Sequence, residues 1–204
     1  LFDGLLVPES HFTSLAAKPE IPPGFSAVKL KDSSNLNTLP QNLRIRLDFN
    51  ESLTADEYRK TWNELADFHD RIDFVEDPTP FDEDVWRNLP GTLAIDRQSA
   101  DYRGTAATFR IIKPACEPVV ASNHRIVVTS YMDHPIGQLW AAWNAAQIET
   151  DLCGLVTHHL FDNDDPFVAA LGPPTPVLQT PPGTGLGFDE LLDSLSWQRL
   201  TNSF

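Results

Sequence analysis

The sequence predicts an α/β fold whose strands close into a (β/α) barrel, and three observations carry that prediction. Short apolar runs that read as strands alternate with helix-period or polar segments from Ser10 to Leu160. Eight such runs occur, enough to favour a closed ring over an open sheet. Their polar and charged side chains gather at the C-terminal tips, the end at which barrels of this class collect their chemistry.

Taken in order, Ser10–Leu15 is a short first strand and Phe25–Lys31, FSAVKLK, a second, separated by a connector with Pro19, Pro22 and Pro23 that no helix can traverse. Leu43–Asn50, LRIRLDFN, is the third, its apolar residues alternating with Arg44, Arg46 and Asp48. Thr54–His69 predicts a helix, with Thr54 at the N-cap, Glu57 at the capping-box position and Tyr58, Trp62, Leu65 and Phe68 on one face. The fourth strand begins at Ile72, a short helix is expected over Phe81–Leu89, and the fifth strand ends at Asp96. Phe109–Lys113 and Arg125–Ser130 are the sixth and seventh strands. Ile136–Ile148 reads as a buried helix, with Trp140 and Trp143 in its packing, and Leu152–Leu160 as the eighth strand. Phe161–Gly187, with six prolines, reads as loop, and Phe188–Leu195 as a closing helix. The links 32–42 and 114–124 hold about eleven residues each, near the minimum for a parallel crossover.

Composition narrows the function. A chain of 204 residues with 41% hydrophobic content buries a full core and reads as one domain, 1–204. Asp and Glu number 29 against 15 Lys and Arg, a formal charge of −14, so a nucleic-acid backbone is not an expected partner. Two cysteines, Cys116 and Cys153, give no disulfide framework and point to a reducing compartment. The N-terminal LFDGLLVPES lacks the basic segment of a signal peptide, and no apolar run reaches the roughly 20 residues a membrane span requires. The expected setting is the cytoplasm, with no membrane partner.

Three strand-end acids are the strongest chemical feature. Asp48 closes LRIRLDFN, Glu76 closes the apolar part of IDFVEDP, and Asp96 closes TLAID. Successive parallel strands, each about one βα unit on, bring the three carboxylates to one end of the barrel. There they repel one another unless a hard cation sits among them. Lys29 and Lys31, two apart, share one face of the second strand, and Lys113 ends the sixth. Any one of these residues alone reads better as a cap or a solvated charge; the set carries the argument.

Lys29-Leu30-Lys31, Asp48-Phe49-Asn50, Glu76 of VEDP, Asp96 of LAID and Lys113 of IIKP occur in the order that defines the enolase superfamily. Within it the chain resembles the muconate-lactonizing subgroup, marked by K-x-K, D-x-N and a second lysine strand. Thr129–Gly137, TSYMDHPIG, and Gly154–Asp162, GLVTHHLFD, are similar to the seventh- and eighth-strand segments of a dehydrating branch of that subgroup, one that serves menaquinone biosynthesis. The resemblance runs from about Ser10 to Asp162. It implies a TIM-type barrel of the modified (β/α)7β kind with short helices. The N-terminal capping domain of such enzymes has no counterpart in this chain, and Arg97 stands where an acid commonly follows the third metal ligand.

The resemblance further implies a metal-dependent carbon–oxygen lyase acting on a small carboxylate. Asp48, Glu76 and Asp96 would hold Mg²⁺, or Mn²⁺ in its place. Lys31 would be general base and then acid, and because a free lysine is protonated at neutral pH it must be relieved of its proton first. Lys29 would tune Lys31, and Lys113 would face the anionic enediolate intermediate across the pocket. Asn50 is expected to hydrogen-bond around Asp48 or Lys31, and Ser130 to help hold a distal substrate carboxylate. Two alternatives stay open: a cycloisomerase or N-acylamino acid racemase on the same site, and a non-catalytic barrel or fragment that needs a partner. The remaining motifs are bland. His158 and His159 are adjacent and in a strand would face opposite ways. Asp162, Asp164 and Asp165 lack the Gly and distal Glu of a calcium loop, and Gly183–Gly187 lacks a P-loop lysine.

Overall fold

Phe12–Ser14 (β1), Ala27–Leu30 (β2), Arg44–Asp48 (β3), Ile72–Glu76 (β4), Leu93–Ile95 (β5), Phe109–Ile112 (β6) and Arg125–Val128 (β7) pair in chain order, every neighbour parallel. This structure, a computed structural model, describes residues 1–16, 18–120, 122–162 and 164–198. The curled sheet is joined edge to edge at the eighth position. Ser10 bridges to Cys153 and Thr129 to Gly154, both parallel, so two residues stitch the β1 edge to the β7 edge. The His11 and Cys153 N–H groups donate to Cys153 O and Glu9 O at 2.8 Å each, and Gly154 N donates to Val128 O at 2.9 Å. The eighth strand is thus far shorter than Leu152–Leu160. Past Gly154 the backbone leaves the sheet, and His158–Leu160 is a turn of 3-10 helix.

Gly154 sits where it does for a steric reason. A Cβ there would lie 2.7 Å from the His11 ring and 2.8 Å from the Thr129 methyl, so only glycine lets the seam close over His11.

Alternation along the strands sorts the core into two regions. Phe74, Ala94, Phe109, Ile111 and Val127 share the face that also carries the strand-end acids and form a separate buried cluster. Val28, Leu30, Ile45, Leu47, Val75, Ile95, Ile112 and Val128 point the other way and are covered from outside. The cover is thin. Ala55–Glu64 (α1), Glu83–Trp86 (α2) and Pro135–Ala145 (α3) follow β3, β4 and β7. Among the described residues the other crossovers carry no α-helix, only 3-10 turns such as Leu36–Thr38 and Ser99–Asp101. Leu36 and Leu39, both buried, do the covering there.

α1 starts as its residues dictate: Thr54 Oγ1 accepts from Glu57 N, and the Glu57 carboxylate accepts from Thr54 N at 2.8 Å. Its predicted continuation to His69 tightens into a 3-10 segment, Ala66–Arg71. Two expectations are corrected. The stretch 161–187 is not all loop, because Pro166–Leu171 forms α4, with Asp165 capping the Phe167 and Val168 N–H groups and Pro166 at the first helical position. Trp140 and Trp143 stack on each other at 5.0 Å, with Trp140 exposed rather than packed inside. Asp189–Ser194 (α5) lies within the expected closing helix. Among the described residues no helix is long and apolar enough to cross a membrane.

Candidate active site at the mouth of the barrel

The register brings the predicted site residues to one rim. Asp48 pairs with Glu76, Glu76 with Ala94, and Asp96 follows two residues later. Leu30 opposite Leu47 sets Lys31 level with Asp48. Lys31 Nζ donates to Asp48 Oδ2 at 2.5 Å. Lys29 Nζ reaches the same oxygen at 2.9 Å and Glu76 Oε1 at 2.7 Å. Lys113 forms an ion pair with Asp96 and lies 5.5 Å from the centre of the Tyr131 ring. The acids and lysines thus line one rim in two groups, Lys29 and Lys31 on Asp48 and Glu76, and Lys113 on Asp96. Lys29 acts on the carboxylate that Lys31 also holds.

The remaining two predicted residues are engaged differently from expectation. Asn50 bonds Asp48 through its backbone, N–H to Oδ1 at 3.1 Å. The Ser130 hydroxyl is buried against Thr157 Oγ1 at 2.9 Å, so its bonding capacity is already used in part.

Burial and charge set the electrostatics. Burial pulls the Lys29 amine down, but Glu76 and Asp48 outweigh it and hold its pKa above the usual lysine value. For Asp48, burial works upward and the two lysines prevail, leaving it low, at about 2. Glu76 is pushed up, first by burial and then by Asp48 and Asp96, with Lys29 pulling the other way. A buried carboxylate among two others is short of positive charge, and its geometry agrees. Glu76 Oε2 is buried with no hydrogen-bond partner among the described residues. That orphaned oxygen, with the oxygen-only donor set, fits a hard divalent cation. No three acid, His or Cys side chains among the described residues are already drawn together as a metal cluster; the acids are engaged by amines instead.

Backbone strain concentrates at the same rim. Asn50, Glu51, Asp77, Gln98 and Met132 all have positive φ, from 42° to 63°, and all follow β3, β4, β5 or β7. Asp77, which the sequence reading passed over, is buried and accepts from the backbone N–H groups of Asp96 at 3.1 Å and Arg97 at 2.9 Å. Burial raises its pKa to about 6, against the lowering by those two N–H groups. Also passed over was Glu117, which accepts from Ser99 Oγ at 2.6 Å and Arg110 at 2.9 Å and tethers the loop after Lys113. The Arg97 side chain pairs loosely with Glu51 at 3.5 Å. Below the acids, Arg46 donates to Asp73 at 2.8 Å, Leu152 O at 2.6 Å and His11 Nδ1 at 2.9 Å. An arginine is always a donor, so the His11 proton sits on Nε2.

His158 and His159 fall outside this set: His159 stacks on Phe12 at 4.3 Å and bonds Thr13 O, and His158 is buried beside α4.

Comparison with known proteins agrees with this architecture. No family model matches the chain. Over 207 residues it is 33% identical to the o-succinylbenzoate synthase of Bdellovibrio bacteriovorus, an alignment taking in 87% of this chain and 62% of that protein. Among solved structures, the L-Ala-D/L-Glu epimerase from Bacillus subtilis superposes with a TM-score of 0.63 at 17% identity, over 88% of this chain and 62% of that one. The dipeptide epimerase from Enterococcus faecalis, complexed with Mg and the dipeptide L-Leu-L-Tyr, gives 0.57 at 16% identity, over 74% and 55%. The chain shares the TIM-type barrel fold of solved mandelate racemase/muconate lactonizing structures and matches the barrel part of these proteins. It spans about 62% of the length of the curated relative it matches.

Proposed function

We propose that this chain is the barrel of an o-succinylbenzoate synthase, a Mg²⁺-dependent lyase that dehydrates a cyclohexadiene carboxylate to o-succinylbenzoate in menaquinone biosynthesis. The observation that carries the reading is the rim itself: acids from three consecutive strands, one with an orphaned oxygen, flanked by amines on β2 and just past β6. The 33% identity to a synthase of that name supports the particular reaction over others in the superfamily.

In this reading Asp48, Glu76 and Asp96 hold the ion, which when bound supplies positive charge to the substrate carboxylate as its α-carbon loses a proton. Lys31 Nζ takes that proton. It can do so only as a free amine, so in the working site it would leave its ion pair with Asp48 and release its own proton to solvent before the substrate's is taken. Lys113, across the ring, offsets the charge of the carbanion with its ammonium, and Tyr131 holds that ammonium from the solvent side. Lys31 then returns the proton to the leaving hydroxyl. Lys29 stays between Asp48 and Glu76, keeping two like charges in contact range.

A second reading has its own support. Amines just past β2 and just past β6 would approach the bound substrate from two sides, as a racemase of N-acylamino acids requires, and the structural relatives include epimerases; a cycloisomerase would use the same site. Purified protein with Mg²⁺ separates these readings. Loss of water from the cyclohexadiene acid supports the synthase, and α-proton exchange with solvent deuterium without loss of water supports the racemase. If Mg²⁺ leaves the melting temperature unchanged and neither reaction occurs, the chain is a non-catalytic barrel or a fragment that works only with a partner.

A further inference from the structure

We propose that Asp77 is the positioning residue that sets the spacing of the three rim carboxylates; the inference rests on reading Asp48, Glu76 and Asp96 as cation ligands. The sheet itself does not fix that spacing. The last β4–β5 pair is Glu76 with Ala94, and the last β5–β6 pair is Ile95 with Arg110. Asp96 lies past both ladders, so no strand neighbour fixes its backbone. Asp77 does. With φ of +42° its backbone leaves the strand line, and its carboxylate spans to β5, Oδ1 accepting from Asp96 N at 3.1 Å and Oδ2 from Arg97 N at 2.9 Å. Its own N–H donates to Ala94 O at 3.0 Å, and its carbonyl accepts from Glu51 N at 2.7 Å, next to the Asn50 N–H that holds Asp48. One residue therefore ties the tips of β3, β4 and β5. A non-glycine residue in the left-handed region is strained, and here that strain is what aims the side chain.

Two variants divide the role. Asp77→Asn tolerates the same φ but sets an NH₂ against one of the two N–H groups, losing one acceptor. Asp77→Gly eases φ and removes both. The readout is Mn²⁺ affinity of the full chain by calorimetry, at a temperature where circular dichroism shows every variant folded. Thr54→Ala removes a side chain that bonds only Glu57 and serves as a variant weakened in stability alone. We expect binding about tenfold weaker in Asp77→Asn and up to about a hundredfold weaker in Asp77→Gly, the range for residues that orient metal ligands, with Thr54→Ala unchanged. Wild-type affinity in Asp77→Gly, or an equal loss in Thr54→Ala, overturns the assignment. Absence of Mn²⁺ binding by the unaltered chain instead overturns the cation reading beneath it.

Discussion

Lys29 and Lys31 share a single oxygen of Asp48, and that sharing makes their removal unequal. Lys31 is about a third exposed, and Asp48 keeps Lys29 when it goes. Lys31→Ala should therefore change stability by less than about 1 kcal/mol while lowering turnover at least about a hundredfold; retained turnover in a folded variant rejects the assigned base. Arg46 is a different case, fully buried with three partners. Arg46→Met should cost about 3–5 kcal/mol in urea unfolding, because Asp73 is left with only the longer pair to Arg44 at 3.8 Å and the Leu152 carbonyl is unpaired. Strand-end position made the three acids and three lysines legible in the sequence, since alternation alone puts i and i+2 on one face. The same rule hid Asp77. Next to Glu76 it should face outward, and only a left-handed turn, which no periodicity encodes, brings it back across the rim.

Among the elements, α1 was the most legible because its start is written twice, in the Thr54–Glu57 exchange and in the spacing of Tyr58, Leu65 and their neighbours. Thr54→Ala should lower stability by about 1 kcal/mol, seen as a shift of the denaturant midpoint without change of slope. α4 was missed because the prolines that follow it dominate the composition, although Asp165-Pro166 is itself a helix start, capping residue then proline. The eighth strand is shorter than its apolar run predicts. Leu155 and Val156 look like strand residues, but their N–H groups both go to Ser10 Oγ, at 2.9 and 3.2 Å, rather than to a strand neighbour. Gly154→Ala tests the seam directly. The added methyl meets the His11 ring and should cost about 1–3 kcal/mol, measured by thermal unfolding.

Over the whole molecule, stability against pH reflects histidines kept neutral by the fold. Burial, reinforced by the neighbouring His159, lowers His158 to about 4, against a smaller upward pull from the Gly172 backbone. The unfolded chain takes up a proton there near pH 6.5 and the folded chain does not. The contribution is therefore complete above about pH 6.5 and is lost progressively as pH falls toward 4. His158→Leu, which keeps the volume and removes the proton site, should flatten the melting temperature over that window relative to the unaltered chain. An identical slope in the two proteins counts against a neutral buried His158.

Closure through Cys153 and Gly154 also fixes the timing of folding on the ribosome. β1 is made first, yet its outer edge has no partner until more than a hundred further residues have emerged. Until then the nascent sheet carries two free edges, each a template for another chain. A protein ended before Leu152 would keep both permanently open, and self-association by edge pairing would be its expected fate.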